Sequence, residues 1–272
     1  MPTREFKLRL SHRPRPMPEG RWAMAQRWND LLFAHWPVPA ASIGHLLPEG
    51  LQPDTCNGSA WVGVVPFWMD RIRFRGVPPM PGTRSFPELN LRTYVRDQHS
   101  GTEGVYFFSL DGSNILAAAI ARTFYNLPYH WAEMRHEQQS EREFAVYSRR
   151  RLSSREVIFK ARYRGLGPTA KLVEPARGSL EYFLTERYSL FAENRAGELV
   201  QAQVQHAPWA LEDAAAEIER NDLAEVIGLE LPSDTAPVLH YARRQAVYLW
   251  PARVVRPLRR RQPIPAQALP SI

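Results

Sequence analysis

The chain has 272 residues, 44% of them hydrophobic, with eight Trp, ten Tyr and twelve Phe, enough for a substantial core in one globular domain. A single cysteine, Cys56, excludes an intramolecular disulfide and any multi-cysteine metal site, and the longest apolar run, within 114–121, is far short of the roughly 20 residues of a membrane-spanning helix. Much of the formal net charge of +7 comes from the two ends, where no basic helix, zinc finger or aromatic nucleic-acid signature accompanies it, so solvated tails rather than a nucleic-acid surface are expected.

In chain order, residues 21–36 place Trp28, Leu31, Leu32 and His35 at helical spacing before Pro37 and Pro39, and predict an amphipathic helix. A short helical turn is expected at 42–47. From Ser59 to Phe74 the period changes: Trp61-Val62-Gly63-Val64-Val65-Pro66-Phe67 reads as a strand, with Pro66 at an edge or bulge. Residues 75–87, rich in Gly and Pro, read as a loop able to cover a site. Strands follow at 88–97 and 104–111 around a turn at Ser100-Gly101, and then an alanine-rich helix at 113–125 capped by Asp111 or Ser113.

Further strands are expected near 131–137, 142–150 and 155–164, and a short helix at 179–185. Strands near 187–194 and 198–205 pair across Asn194-Arg195-Ala196-Gly197. Residues 212–220 look helical or loop-like, and 240–250 read as a last strand. Many strands, few helices and no regular strand-helix alternation define an α+β, β-rich, antiparallel domain. It is expected to span 19–252, between a basic tail at 1–18 and a basic, proline-rich tail at 253–272.

On the strand at 88–97, residues two apart share a face, so Glu88, Asn90, Arg92 and Tyr94 project together, opposite Leu89, Leu91 and Val95. That polar face is either the solvated side of a half-buried sheet or the wall of a cavity. In a cavity, the Arg92 fork holds a carboxylate or carbonyl and Glu88 serves as acid or base. His130 and His136, near Glu133 and Glu137, lack a metal-binding spacing, and no metal is expected. Cys56 reads as an incidental thiol, Gly165-Leu166-Gly167-Pro168 as a turn, and no Gly-x-Ser-x-Gly elbow supports a hydrolase triad.

Three runs carry a resemblance: Phe-Pro-Glu-Leu-Asn-Leu-Arg-Thr-Tyr-Val (86–95), Gly-Val-Tyr-Phe-Phe-Ser-Leu-Asp (104–111) and Ala-Arg-Thr-Phe-Tyr-Asn-Leu-Pro-Tyr-His-Trp-Ala (121–132). With Trp-Asn-Asp-Leu-Leu-Phe-Ala-His-Trp and Trp-Val-Gly-Val-Val-Pro-Phe, they resemble the DUF2071, or YqjF-like, family from about Trp22 to Trp250. The resemblance implies an acetoacetate decarboxylase-like antiparallel β-barrel or cone with a few flanking helices. The decarboxylase pattern Arg-Glu-x-x-Gly-(Phe/Tyr)-Pro-Lys-Lys places a Schiff-base lysine just after the proline. Here Arg122 to Pro128 keeps the interval, but Tyr129 and His130 follow. Phe86-Pro87-Glu88 matches the decarboxylase Tyr-x-Glu element, so the resemblance carries over Glu88 and Arg122 and leaves the lysine out.

A Schiff base needs a primary amine that is neutral near pH 7, and neither phenol nor imidazole forms an iminium. The only lysines are Lys7, Lys160 and Lys171, and the latter two read as solvated. The expectation is therefore a small-molecule binding protein, or an enzyme without Schiff-base chemistry, whose cavity is lined by Glu88 and Arg122 together with Arg92. Glu88, Tyr129 and His130 are its catalytic candidates. An ordering ion pair between Glu88 and Arg122 is the structural alternative. A third expectation is an interaction protein whose barrel is plugged by Phe107, Phe108 and Trp131. No cofactor, nucleic acid or membrane is expected as partner. A cytoplasmic location and a possible homo-oligomer complete the reading.

Overall fold

Runs of β-branched and aromatic residues fold into thirteen strands in the computed structural model, which describes residues 12–77, 85–114, 128–167, 175–194 and 196–256. In order they are β1 (Met24–Val38), β2 (Leu51–Pro53), β3 (Ala60–Phe74), β4 (Ser85–Asp97), β5 (Glu103–Gly112), β6 (Tyr129–Gln138), β7 (Glu143–Arg150), β8 (Ile158–Gly165), β9 (Ser189–Glu193), β10 (Leu199–Gln205), β11 (Glu212–Asn221), β12 (Val238–Leu249) and β13 (Arg253–Arg256). Helix α1 (Ala40–Gly44) follows β1, and α2 (Leu180–Thr185), capped by the Ser179 side chain, precedes β9. The helix expected at 113–125 lies almost wholly outside the described residues, as do Arg122, Lys7 and Lys171. No described helix is long and apolar enough to cross a membrane.

Nine strands, β4-β5-β6-β7-β8-β11-β12-β1-β3, close into a barrel. Short pairings of β5 with β9 and of β10 with β12, with the β9–β10 hairpin between them, close a smaller ring of β12, β1, β3, β4, β5, β9 and β10. The two rings share the wall β12-β1-β3-β4-β5. One face of that wall packs on β7, β8 and β11 through Leu32, Val64, Leu91, Val146 and Phe159. Its other face looks into the smaller ring. Pairing is antiparallel throughout, except where β5 meets β6 and β9.

The shared wall explains why residues 21–36 are not a helix. β1 is a strand buried on both faces, so Leu31 to Trp36 are all buried, and strands of that kind lose the two-residue alternation. A bulge also shifts its phase: Asp30 takes φ 51°, and the register with β3 slips between Asn29 and Ala34. That combination puts Trp28, Leu31, Leu32 and His35 at a spacing that mimics a helix. Asp30 is held there by Trp68 Nε1 at 3.0 Å and Tyr241 Oη at 2.6 Å, and its carbonyl accepts from the Tyr163 hydroxyl. Local propensity is likewise overridden at β11, where Ala214 and Ala216 face the core and pair with Gly165 and Tyr163 of β8.

The chain ends are partly docked. Arg13 is buried, donates to the Val204 carbonyl at 2.8 Å and lies 4.4 Å over the Tyr188 ring. Past Trp250, β13 pairs with β10.

Closure of the smaller ring depends on Gly104, where an added Cβ meets the Ser189 carbonyl at 2.5 Å and the Phe191 ring at 2.7 Å. Gly104→Ala is expected to lower the unfolding free energy by about 2 kcal/mol or more, because β5 and β9 must separate. Urea unfolding measures it, and an unchanged midpoint refutes this account of the closure.

Candidate ligand-binding site

The smaller ring holds a cavity of about 80 Å³. Its apolar wall includes Trp28, Phe67, Phe107 and Trp209; its polar groups include Asn90 and Arg92 from β4, Tyr129 from β6, and Arg187 and His206 from the segments after α2 and β10. The whole polar face of β4 is buried, with Glu88, Asn90, Arg92 and Tyr94 each less than 10% exposed. The solvated-face reading is therefore replaced by the inward one, because β4 sits within the shared wall.

Arg92 carries the site's unbalanced charge. It donates from one terminal nitrogen to Tyr94 Oη at 3.3 Å and to the Leu184 carbonyl at 3.4 Å, and its Nε is buried without a partner. It forms no ion pair among the described residues. The Phe33 ring, 5.4 Å from its guanidinium carbon, supports it from one side. The Tyr94 hydroxyl donates to Leu184 at 2.7 Å and contacts His35 Nε2 at 2.7 Å. With its single proton given to Leu184, Tyr94 accepts from His35, which makes that imidazole the neutral Nε2–H tautomer. Burial, reinforced by Arg92, holds His35 well below the ordinary histidine range. Among the described residues, the charge of Arg92 is thus met by neutral dipoles only. Asn90 Oδ1, also in the wall, is buried without a partner.

Glu88 shares this inward face but does not itself line the cavity. Tyr129, which lines the cavity, hydrogen-bonds through its hydroxyl to the Glu88 carboxyl. Burial pushes the Glu88 carboxyl up to about 8, against the lowering effect of bonds to Tyr129 and Asn90, and the nearby Asp111 adds to the rise. Near pH 7 Glu88 is therefore largely protonated, and it reaches the cavity through Tyr129 instead of lining it. Asp111 is itself balanced by Arg150 at 2.7 Å in a buried pair.

The remaining candidates separate cleanly. Tyr129 is buried and lines the cavity, whereas the neighbouring His130 is exposed. Arg122 lies outside the described residues. Of the three proposed plug aromatics, only Phe107 lines the cavity: a bulge at Phe108 packs that ring against Tyr106, and Trp131 is exposed. Lys160, the one described lysine, pairs with Glu219 on the outer surface. Sequence reasoning missed Arg187, His206 and Trp209. The one available signal was the charged pair Glu186-Arg187 at the head of an apolar strand.

Fold and site together define an acetoacetate decarboxylase-like barrel with a small cavity lined by a cation, Arg92, that has no ion-pair partner among the described residues. The DUF2071 profile, described as an uncharacterized conserved protein, matches residues 25–246, and the chain belongs to that family. It is 44% identical over 238 residues to the uncharacterized protein YqjF of Bacillus subtilis, covering 87% of this chain and 94% of YqjF. Among solved structures it is similar to the enduracididine biosynthesis enzyme MppR in complex with a condensation product of pyruvate and imidazole 4-carboxaldehyde (TM-score 0.60, 12% identity, 87% and 91% of the two chains). It is also similar to an acetoacetate decarboxylase-like enzyme from Sphingomonas wittichii RW1 (0.59, 13%, 88% and 95%) and to acetoacetate decarboxylase from Legionella pneumophila (0.57, 13%, 88% and 90%). At these identities the likeness concerns the fold.

Proposed function

We propose that the cavity binds a short-chain carboxylic acid, with or without a neighbouring carbonyl, whose carboxylate replaces the missing counter-charge of Arg92. The observation that carries this reading is the buried guanidinium with no ion-pair partner among the described residues, beside a wall that is otherwise largely aromatic and aliphatic. A buried cation left in this state is costly, and a carboxylate that meets its fork recovers charge-assisted hydrogen bonds. The cavity is about half the size of one of roughly 150 Å³ that admits benzene, which favours acids of a few carbons. MppR, whose structure was solved with pyruvate, is consistent with such a ligand.

If the bound acid is transformed, the groups at hand are those of proton transfer. Tyr129 occupies the position where the decarboxylase pattern has its lysine, and with Glu88 it can exchange a proton at its phenol oxygen. It supplies no amine. Incubation with acetoacetate and borohydride is therefore expected to leave the intact mass unchanged; a stable adduct on any lysine overturns this part of the reading. Isothermal titration with acetate, pyruvate, propionate and acetoacetate at pH 7 tests the whole. Saturable binding of at least one acid, with the corresponding primary alcohol inert, is expected. No binding by any of the four refutes it.

A further inference from the structure

A second, larger recess of about 580 Å³ lies on the outer side of the β9–β10–β12 wall, beneath the segment Arg13–Glu19. The partition is one strand layer thick, and side-chain alternation decides which space each residue serves. Ser189, Gln203 and Trp250 face the outer groove, while Leu190, Val204 and Leu249 face the inner cavity. Among the described residues, Arg187 alone lines both.

The surroundings of Arg187 are those of a group that can change partners. Its guanidinium lies 4.3 Å from the Phe183 ring centre and 5.2 Å from that of Tyr94, and one terminal nitrogen meets Asp54 Oδ2 at 2.7 Å. Asp54 has a second cation: Arg96 contacts its Oδ1 at 3.1 Å and also reaches Glu103, in the groove, at 2.8 Å. When Arg187 leaves Asp54, that carboxylate keeps Arg96, so no buried charge is stranded. The aromatic faces hold Arg187 whichever anion it meets. Arg92 stands 5.8 Å from the same Tyr94 ring centre, so the two guanidinium carbons, at 5.2 and 5.8 Å from one point, are at most 11 Å apart. The first faces the groove as well as the cavity, and the second faces the cavity alone.

From this geometry we infer that the outer groove is the entrance to the cavity and that Arg187 is its specificity-determining residue, passing small anions inward to Arg92 by exchanging Asp54 for the incoming carboxylate. The inference rests on the cavity's preference for an anion. Its test needs no bound acid, so the two readings fail separately.

In a Cys56→Ser background, Leu190→Cys places a thiol on the cavity wall. Its labelling by anionic methanethiosulfonate ethylsulfonate and by the cationic ethyltrimethylammonium analogue is followed by intact mass. The anionic reagent is expected to react at least 10-fold faster. Arg187→Met reduces that preference to within about 3-fold, Arg187→Lys retains it, and Asp54→Asn accelerates the anionic reaction. A Val146→Cys control in the sealed core stays unlabelled in each background; if Arg187→Met exposes it, the Lys and Asn variants decide. Absence of labelling at position 190, no preference for the anion, or a preference that survives loss of the charge at position 187 overturns the inference.

Discussion

Arg92→Met is expected to weaken binding of a short carboxylic acid by roughly 30-fold or more, while the empty protein gains about 1–3 kcal/mol of unfolding free energy. The two effects have one cause. The guanidinium is buried against neutral dipoles and aromatic faces, so in the empty protein no carboxylate among the described residues offsets its desolvation. Methionine keeps much of the unbranched apolar stem beside Phe33 and removes the charge. Its hydrogen-bond partners are not orphaned: Leu184 still accepts from Tyr94 at 2.7 Å, and Tyr94 still accepts from His35. With acid present the balance reverses, since charge-assisted bonds of about 1.5–3 kcal/mol are lost. Titration calorimetry and urea unfolding on the same samples measure both quantities. Wild-type affinity in the variant, or a loss of stability in the empty state, refutes the assignment of Arg92 as the unbalanced cation.

Glu88→Gln is expected to remove a pH dependence of stability that the wild type shows between about 4.5 and 8. In the unfolded chain the Glu88 carboxyl ionises near 4.5, whereas in the fold burial holds it protonated up to about 8. Across that interval the folded state binds the additional proton, so unfolding releases it and stability falls as pH rises. Below 4.5 both states are protonated, and the stabilising contribution of the neutral carboxyl is fully present. Above about 8 both are ionised and it has been lost. The interval of about 3.5 units corresponds to an upper limit of about 5 kcal/mol, so the difference between wild type and variant should change by a few kcal/mol between pH 4.5 and 8.5. Other titrating groups largely cancel in that difference. A constant difference across the range means that Glu88 is ionised in the fold and that the Tyr129–Glu88 pair does not store a proton at pH 7.

Much of the barrel was legible in the chain. The strand at 59–74 announces itself by β-branched and aromatic residues, the turn at Ser100-Gly101 by its composition, and the hairpin around Asn194 by two strand runs at short separation. Two segments misled. Asp30 interrupts β1 with a bulge whose partners, Trp68, Tyr163 and Tyr241, are distant in sequence, and the alanines of β11 favour a helix unless β8 lies alongside. At the site, the grouping of Glu88, Asn90, Arg92 and Tyr94 followed from strand geometry alone. Arg187 and His206 did not, because they join that group through segments about a hundred residues further along the chain.

By itself, then, the sequence determined the strand-rich class, the family, the absence of a lysine after Pro128 and the shared face of the β4 polar residues. These are properties of composition, local periodicity and adjacent positions. Only the tertiary structure decided that this face is buried in the interior instead of meeting water, that Tyr129 rather than His130 turns inward beside Glu88, and that Arg92 has no counter-charge among the described residues. Alternation tells which side chains share a side of a strand. What lies opposite that side is set by where β9, β10 and β12 close the ring, and that closure is a long-range packing event.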